Sequence, residues 1–216
     1  MTLDPSEFLV ILPEIFVLSM ACVILVLDLF LSDEERFISY WLTQITLVIA
    51  AVITLSVSSG QTELVFFVIY IADAMGSTLK VFIYLVTTLA FLYSRHYLTA
   101  RDLFKGEFYV LGLFSILGMM LMVSANNLLM LYLGLELLSL CLYALVAFSG
   151  SKENGNASEA AMKYFVLGAI ASGMLLYGMS ILYGLSGSLV LADIGRAATE
   201  SLAAEEQNIG MIFAMV

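Results

Sequence analysis

The chain has 216 residues, 62% of them hydrophobic and 12% charged, with a mean hydropathy of +1.04. Soluble domains carry charge on roughly a quarter of their residues, so this composition excludes a soluble globular protein and indicates a polytopic membrane protein. The formal net charge of -10 argues against a nucleic-acid partner.

The apolar segments predict an all-α integral membrane protein in which residues 1–216 form a single transmembrane helical domain. Six full spans of about 20 residues and part of a seventh fit this length. The first run, about Phe8 to Leu31, has no basic region before it and no small-residue cleavage pattern after it, so it reads as a retained helix and not a signal peptide. Pro13 and Glu14 lie near its start, where a missing N–H is harmless, and Asp28 lies near its end. Both acids read as interfacial, with membership of a proton relay as the alternative for Glu14. A polar turn, Asp33-Glu34-Glu35-Arg36, leads to a second span from Phe37 to about Ser58, with Trp41 as an interfacial anchor.

After a loop from Ser59 to Glu63, the run Leu64 to Ile71 is β-branched and aromatic but too short to span, and Asp73 follows it. It predicts a strand or a re-entrant turn packed on the protein. The third span, about Ala74 to Ser94, carries Lys80, which at helical spacing shares a face with Ser77, Tyr84 and Thr87. That polar stripe avoids lipid; the alternative is a lysine snorkelling to the nearer interface. The next loop holds Arg95, His96, Arg101, Asp102, Lys105 and Glu107, and His96 reads as a solvated loop residue.

The fourth span, Phe108 to Val123, ends at a tight Ser124-Ala125-Asn126-Asn127 turn, and the fifth runs from Leu128 to Phe148. A polar linker, Gly150 to Ser158, precedes the sixth, about Glu159 to Gly184, with Ser158 as its N-cap. Within Ser186 to Gln207 a short surface helix is predicted over Leu191 to Ala203. Ile209 to Val216 begins a seventh apolar run too short to cross, so the chain reads as the N-terminal part of a longer protein. Cys22 and Cys141 read as small core residues, with no disulfide or metal site expected.

Arg36, Arg95, Arg101, Lys105 and Lys152 fall on one side of this topology and only Arg196 on the other. The positive-inside rule makes the first side cytoplasmic and places the N-terminus outside. Segments 32–36, 95–107 and 149–158 are then inside, and 59–73 and 185–208 outside. The acids Asp4, Glu7, Glu63, Asp73, Asp193, Glu200, Glu205 and Glu206 gather on the outer side.

Function is sought at charges set deep in apolar helices, because each costs several kcal/mol unless it faces a packed or watered interior. Glu136 shares a helix face with Tyr132, Ser139, Leu140 and Tyr143, about 12 Å from the outer helix end and about 18 Å from the inner. Lys163 sits about 6 Å in from the cytoplasmic start of the sixth span, too far along the axis for direct pairing with Glu136; a water chain is expected between them. Its near partner is Glu159, at ordinary helix-pair spacing. Gly168 and Ser172, and Ala169 and Gly173, permit close helix contact and predict an interior sixth helix. Lys80, about 10 Å from the outer end, is roughly level with Glu136 and is a third candidate, coupled to it electrostatically.

The runs Asn126 to Leu140 (NNLLMLYLGLELLSL) and Glu159 to Ala169 (EAAMKYFVLGA) resemble subunit N of the bacterial proton-pumping NADH-quinone oxidoreductase, respiratory complex I. Leu12-Pro13-Glu14-Ile15 and Gly106-Glu107-Phe108-Tyr109 resemble it too, so the similarity covers nearly the whole chain. The resemblance implies a multi-pass antiporter-like bundle in the bacterial inner membrane, with Glu136 and Lys163 matching the family's proton-translocation residues. It implies no redox cofactor in this chain; NADH, quinone, FMN and iron-sulfur clusters would belong to other subunits. Partners would be the other membrane-arm subunits and the lipid bilayer. The helix-seven lysine that the family pairs with the glutamate would fall beyond Val216. A stand-alone cation/proton antiporter and a structural anchor with vestigial charges are the rival readings.

Overall fold

The computed structural model describes residues 5–31, 36–58, 60–101, 103–148 and 156–203. The acids of the 32–35 turn, Lys152 with its linker and the seventh apolar run from Ile209 lie outside the described residues. Ten elements follow in order: α1 (Pro5–Val10), α2 (Leu12–Asp28), α3 (Phe37–Val57), β1 (Glu63–Val65), β2 (Tyr70–Ala72), α4 (Ala74–Ala100), α5 (Gly106–Val123), α6 (Leu128–Phe148), α7 (Asn156–Ser186) and α8 (Leu191–Ala203). The helices α3 to α7 are each long and apolar enough to cross a membrane. The chain is a multi-pass membrane-embedded helical bundle.

The first predicted span arrives in two pieces, α1 and α2, which break at Ile11. Pro13 explains the break: it has no N–H to donate, and its ring crowds the carbonyl four residues earlier, so a helix restarts around it instead of passing through it. The helix α4 runs past Ser94 to Ala100, so Arg95 and His96 lie on a helix and not in a loop. No glycine or proline interrupts that stretch. His96 is exposed there. The helix α7 begins at Asn156, so Ser158 is inside its first turn and is not the N-cap.

The short apolar run after α3 forms an antiparallel hairpin, with Glu63 opposite Ala72 and Val65 opposite Tyr70. Its tip is strained: Phe66, Phe67 and Val68 have φ of 53°, 57° and 69°, a region that bulky and β-branched side chains rarely adopt. Tertiary contacts hold it. The Phe8 ring meets Phe66 edge-on at 5.8 Å, and the Asn126 side-chain amide donates to the Val68 carbonyl at 2.8 Å.

The buried centre is α5, which packs against α2, α3, α4 and α6. Tyr109 on α5 is fully buried among Tyr40, Phe91, Phe104 and Phe108, all in edge-to-face contact. Further along α5, Gly118 and Gly134 of α6 let two backbones touch: a Cβ on Gly118 would lie 2.6 Å from the Gly134 carbonyl oxygen. The predicted interior position of α7 is not observed. One face of α7 meets α6, where Gly168 accommodates Tyr143, but no described residue lies within 4 Å of a Cβ built on Gly173. Leu167 and Met174 are exposed. A helix apolar all round carries no stripe that says which side is covered. Cys141 is buried as predicted, whereas Cys22 is exposed on the outside of the bundle.

Two ends of the bundle are tied differently. At one, the turn between α5 and α6 joins the hairpin to the link before α8: the Ile71 N–H donates to the Ser124 carbonyl (2.9 Å), Asn126 N–H to Ile69 (2.9 Å), and Leu191 N–H to Asn126 (3.1 Å). At the other, the Ser39 hydroxyl donates to Asp28 at 2.6 Å and the same carboxylate abuts Gly106. Arg95 stacks on the Tyr40 ring and Lys105 on Phe148, both at 5.1 Å.

Candidate functional site

Asp73 sets the inward face of α4 by capping it: its carboxylate accepts from the Gly76 N–H at 2.6 Å. Gly76, Lys80, Tyr84, Phe91 and Leu98, spaced by four or seven residues, are the buried positions of that helix. Of the predicted polar stripe, Lys80 and Tyr84 are buried, and Ser77 and Thr87 half-buried. Lys80 does not snorkel. Its ammonium bonds Glu14 Oε1 at 2.6 Å and donates to the Tyr70 hydroxyl at 2.8 Å, and Tyr70 donates to the same Glu14 oxygen at 3.0 Å.

Glu14 and Lys80 are each only 5% exposed, so Glu14, read as interfacial from its place near the start of a span, is enclosed by protein there and not open to solvent. The hairpin accounts for the difference: Tyr70 of β2 folds over the first turn of α2 and closes the carboxylate off. Burial, with the Glu14 charge beside it, pushes the Tyr70 hydroxyl far above its usual range, so it remains a neutral donor. Glu14 Oε2 is buried and has no hydrogen-bond partner among the described residues. A cleft reaches this cluster from outside. Its lining includes the buried Lys80, Tyr70, Pro13, Thr54 and Ser124, the half-buried Ser77 and the exposed Gly60, Gln61 and Glu63.

Glu136 lies on α6, half-buried, with Oε1 buried and unpartnered among the described residues. Tyr132, Ser139 and Tyr143 on its face are also half-buried, and Tyr143 meets Tyr164 and Phe165 of α7 at 4.7 and 5.7 Å. Lys163 bonds Glu159 at 2.5 Å on the exposed surface of α7, with 71% of its side chain accessible. The structure therefore brings Lys80 to Glu14 and Lys163 to Glu159; neither lysine is bonded to Glu136. Sequence reasoning missed Tyr70 and the partnership of Glu14, and the only signal for either was the stripe on α4, which showed that Lys80 needed a buried partner.

Residues 125–216 match the family described as NADH:quinone oxidoreductase/Mrp antiporter, TM. The chain is 54% identical over 215 residues to NADH-quinone oxidoreductase subunit N of Thioalkalivibrio sulfidiphilus, and 46% identical over 217 to that of Ruthia magnifica. These alignments cover 100% and 99% of this chain but 44% of each relative, so the chain spans less than half the length of these relatives. Among solved structures, a chain of respiratory complex I from Thermus thermophilus, determined with bound Aureothin, superposes with a TM-score of 0.71 at 27% identity, covering 94% of this chain and 41% of that one. A chain of the membrane-bound sulfane sulfur reductase, an archaeal respiratory membrane complex, superposes with a TM-score of 0.70 at 21% identity, covering 97% of this chain and 44% of that one; this likeness is one of fold alone.

Proposed function

From the premise that the chain belongs to the subunit N family of NADH-quinone oxidoreductases, we propose that it is part of the proton-translocating membrane arm of such a complex. The observation that carries this reading is the set of ionisable side chains inside a bundle long and apolar enough to cross a membrane. A carboxylate such as Glu136, with one oxygen buried and without a partner among the described residues, has a place to take up a proton, and lysine charges within the same low-dielectric interior bias whether it does.

On this reading NADH oxidation and quinone reduction, with FMN and iron-sulfur clusters, belong to other subunits, and this chain moves protons and no electrons. Residues 1–216 act as one transmembrane helical unit. Glu136 carries the proton; Lys80 and Lys163 tune it, Lys163 once α7 is covered by neighbouring helices. The exposed apolar surface of α7, around Leu167 and Met174, fits other membrane-arm subunits or lipid. The distribution of basic residues supports a bacterial inner-membrane orientation with the N-terminus and the hairpin on the periplasmic side.

A stand-alone cation/proton antiporter is the second reading, favoured by the Mrp antiporter half of the matching family description. Proteoliposomes separate the two. The assembled complex should export protons on NADH and quinone, and the full-length subunit alone should show no sodium-driven proton movement. Sodium-dependent transport by the isolated subunit would overturn the first reading in favour of the second.

A further inference from the structure

The geometry points to a second proton station, separate from Glu136, in which Glu14 receives a proton from within the bundle and Lys80 releases one into the hairpin-side cleft. The inference rests on the proton-carrying reading above and adds residues and a route to it. Three features carry it. First, Lys80 is 5% exposed yet lines the cleft, and Glu14, equally buried, is bonded to it. Second, Glu14 Oε1 is occupied by both the Lys80 ammonium and the Tyr70 hydroxyl, which leaves the buried Oε2 as the open acceptor. Third, Tyr70 joins the two charged groups by hydrogen bonds at 2.8 and 3.0 Å, and its hydroxyl holds its proton.

The relay balances in three moves. An incoming proton forms an O–H bond at Glu14 Oε2. The Lys80 ammonium then gives a proton to water in the cleft, which leaves as hydronium, and the nitrogen keeps the electron pair. Transfer from neutral Glu14 to neutral Lys80 restores the ion pair, so one proton has entered from the interior and one has left through the cleft. Among the described residues, the other acids on the cleft are Glu63 and Asp73, and the Asp73 carboxylate is engaged in capping α4. In the proposed orientation the mouth faces the periplasm, which makes this an exit station.

A pair kept only to staple α2 to α4 would make the same contacts, so the test must separate charge from proton release. Arginine at position 80 keeps the charge and can pair with Glu14 but does not give up its proton. In the full-length subunit, assembled in the complex, Lys80→Arg should leave NADH oxidation with artificial acceptors unchanged while lowering quinone-linked proton export by about tenfold or more. Lys80→Cys, with Cys22 and Cys141 replaced by Ala, provides the second arm. Treatment with 2-aminoethyl methanethiosulfonate forms a mixed disulfide, with the sulfinate leaving, and rebuilds a titratable amine on the cleft lining. Export lost in Lys80→Cys should return on this treatment and not with the neutral methyl reagent. Wild-type export in Lys80→Arg, a thiol that the reagent does not reach, or a modified thiol without rescue would overturn the station. Glu136→Gln measured in parallel separates the two levels: loss there with normal export in Lys80→Arg removes only the station, and normal export in both removes the proton-carrying reading as well.

Discussion

Adding one methyl group at Gly118 should move a helix. A Cβ there would lie 2.6 Å from the Gly134 carbonyl oxygen and 2.9 Å from the Leu138 nitrogen, both backbone atoms of α6 that no rotamer change can clear. To reach ordinary van der Waals contact, α6 must retreat from α5 by about 0.8 Å, and overpacking of this kind costs about 1–3 kcal/mol. Replacing a helical glycine by alanine returns at most about 1 kcal/mol. The net expectation for Gly118→Ala is a loss of about 1–2 kcal/mol, seen as a fall of about 2–8 °C in the unfolding midpoint of the purified chain in detergent. Gly134→Ala meets the mirror-image obstacle, 2.7 Å from the Gly118 carbonyl oxygen, so the double variant should cost less than the two singles together once the helices have parted. Gly173→Ala, with no described residue within 4 Å, should be neutral or stabilising. A Gly118→Ala chain as stable as wild type, or a Gly173→Ala chain equally weakened, would refute the backbone-contact reasoning. Glu136 is two residues along α6 from Gly134, so the same displacement should also lower quinone-linked turnover.

Lys80→Met should cost about 3–5 kcal/mol in unfolding measurements, because it leaves Glu14 charged, buried and unpaired. The double variant Glu14→Gln/Lys80→Met should recover most of that loss; additive losses would show that the two residues do not act as a pair. Tyr70→Phe removes the hydroxyl that bridges them and should cost about 1–3 kcal/mol, with the hairpin retained. Cysteine at exposed Gln61 should react with a membrane-impermeant thiol reagent only from the periplasmic side, and cysteine at exposed His96 only from the cytoplasmic side; the reverse pattern would invert the proposed orientation.

The long apolar spans were legible because a membrane helix is written in one dimension. The bounds of α6, Leu128 to Phe148, and of α8, Leu191 to Ala203, are those the apolar run and the polar Ala-rich stretch predict. The buried face of α4 was legible from the spacing of Ser77, Lys80, Tyr84 and Thr87. Its partner was not: Glu14 is 66 residues away in sequence, and its burial depends on Tyr70, which is 56 residues from it. Depth counted along a single helix sees neither contact. The same limit explains α7, whose uniformly apolar surface does not show that Gly168 meets a neighbour while Gly173 meets none among the described residues.

Proton export by a complex carrying Glu136→Gln is the most direct test of the claim that buried charge in this bundle moves protons. Glutamine keeps the shape and the hydrogen-bonding groups but cannot ionise, so it can neither hold a transferred proton nor respond to a nearby lysine. In the full-length subunit, assembled with its partners, NADH oxidation with artificial acceptors should remain at the wild-type rate while quinone-linked turnover and proton export fall together, and aspartate at the same position should retain part of both. Wild-type proton export in the glutamine variant would contradict the claim and leave Glu136 a structural residue.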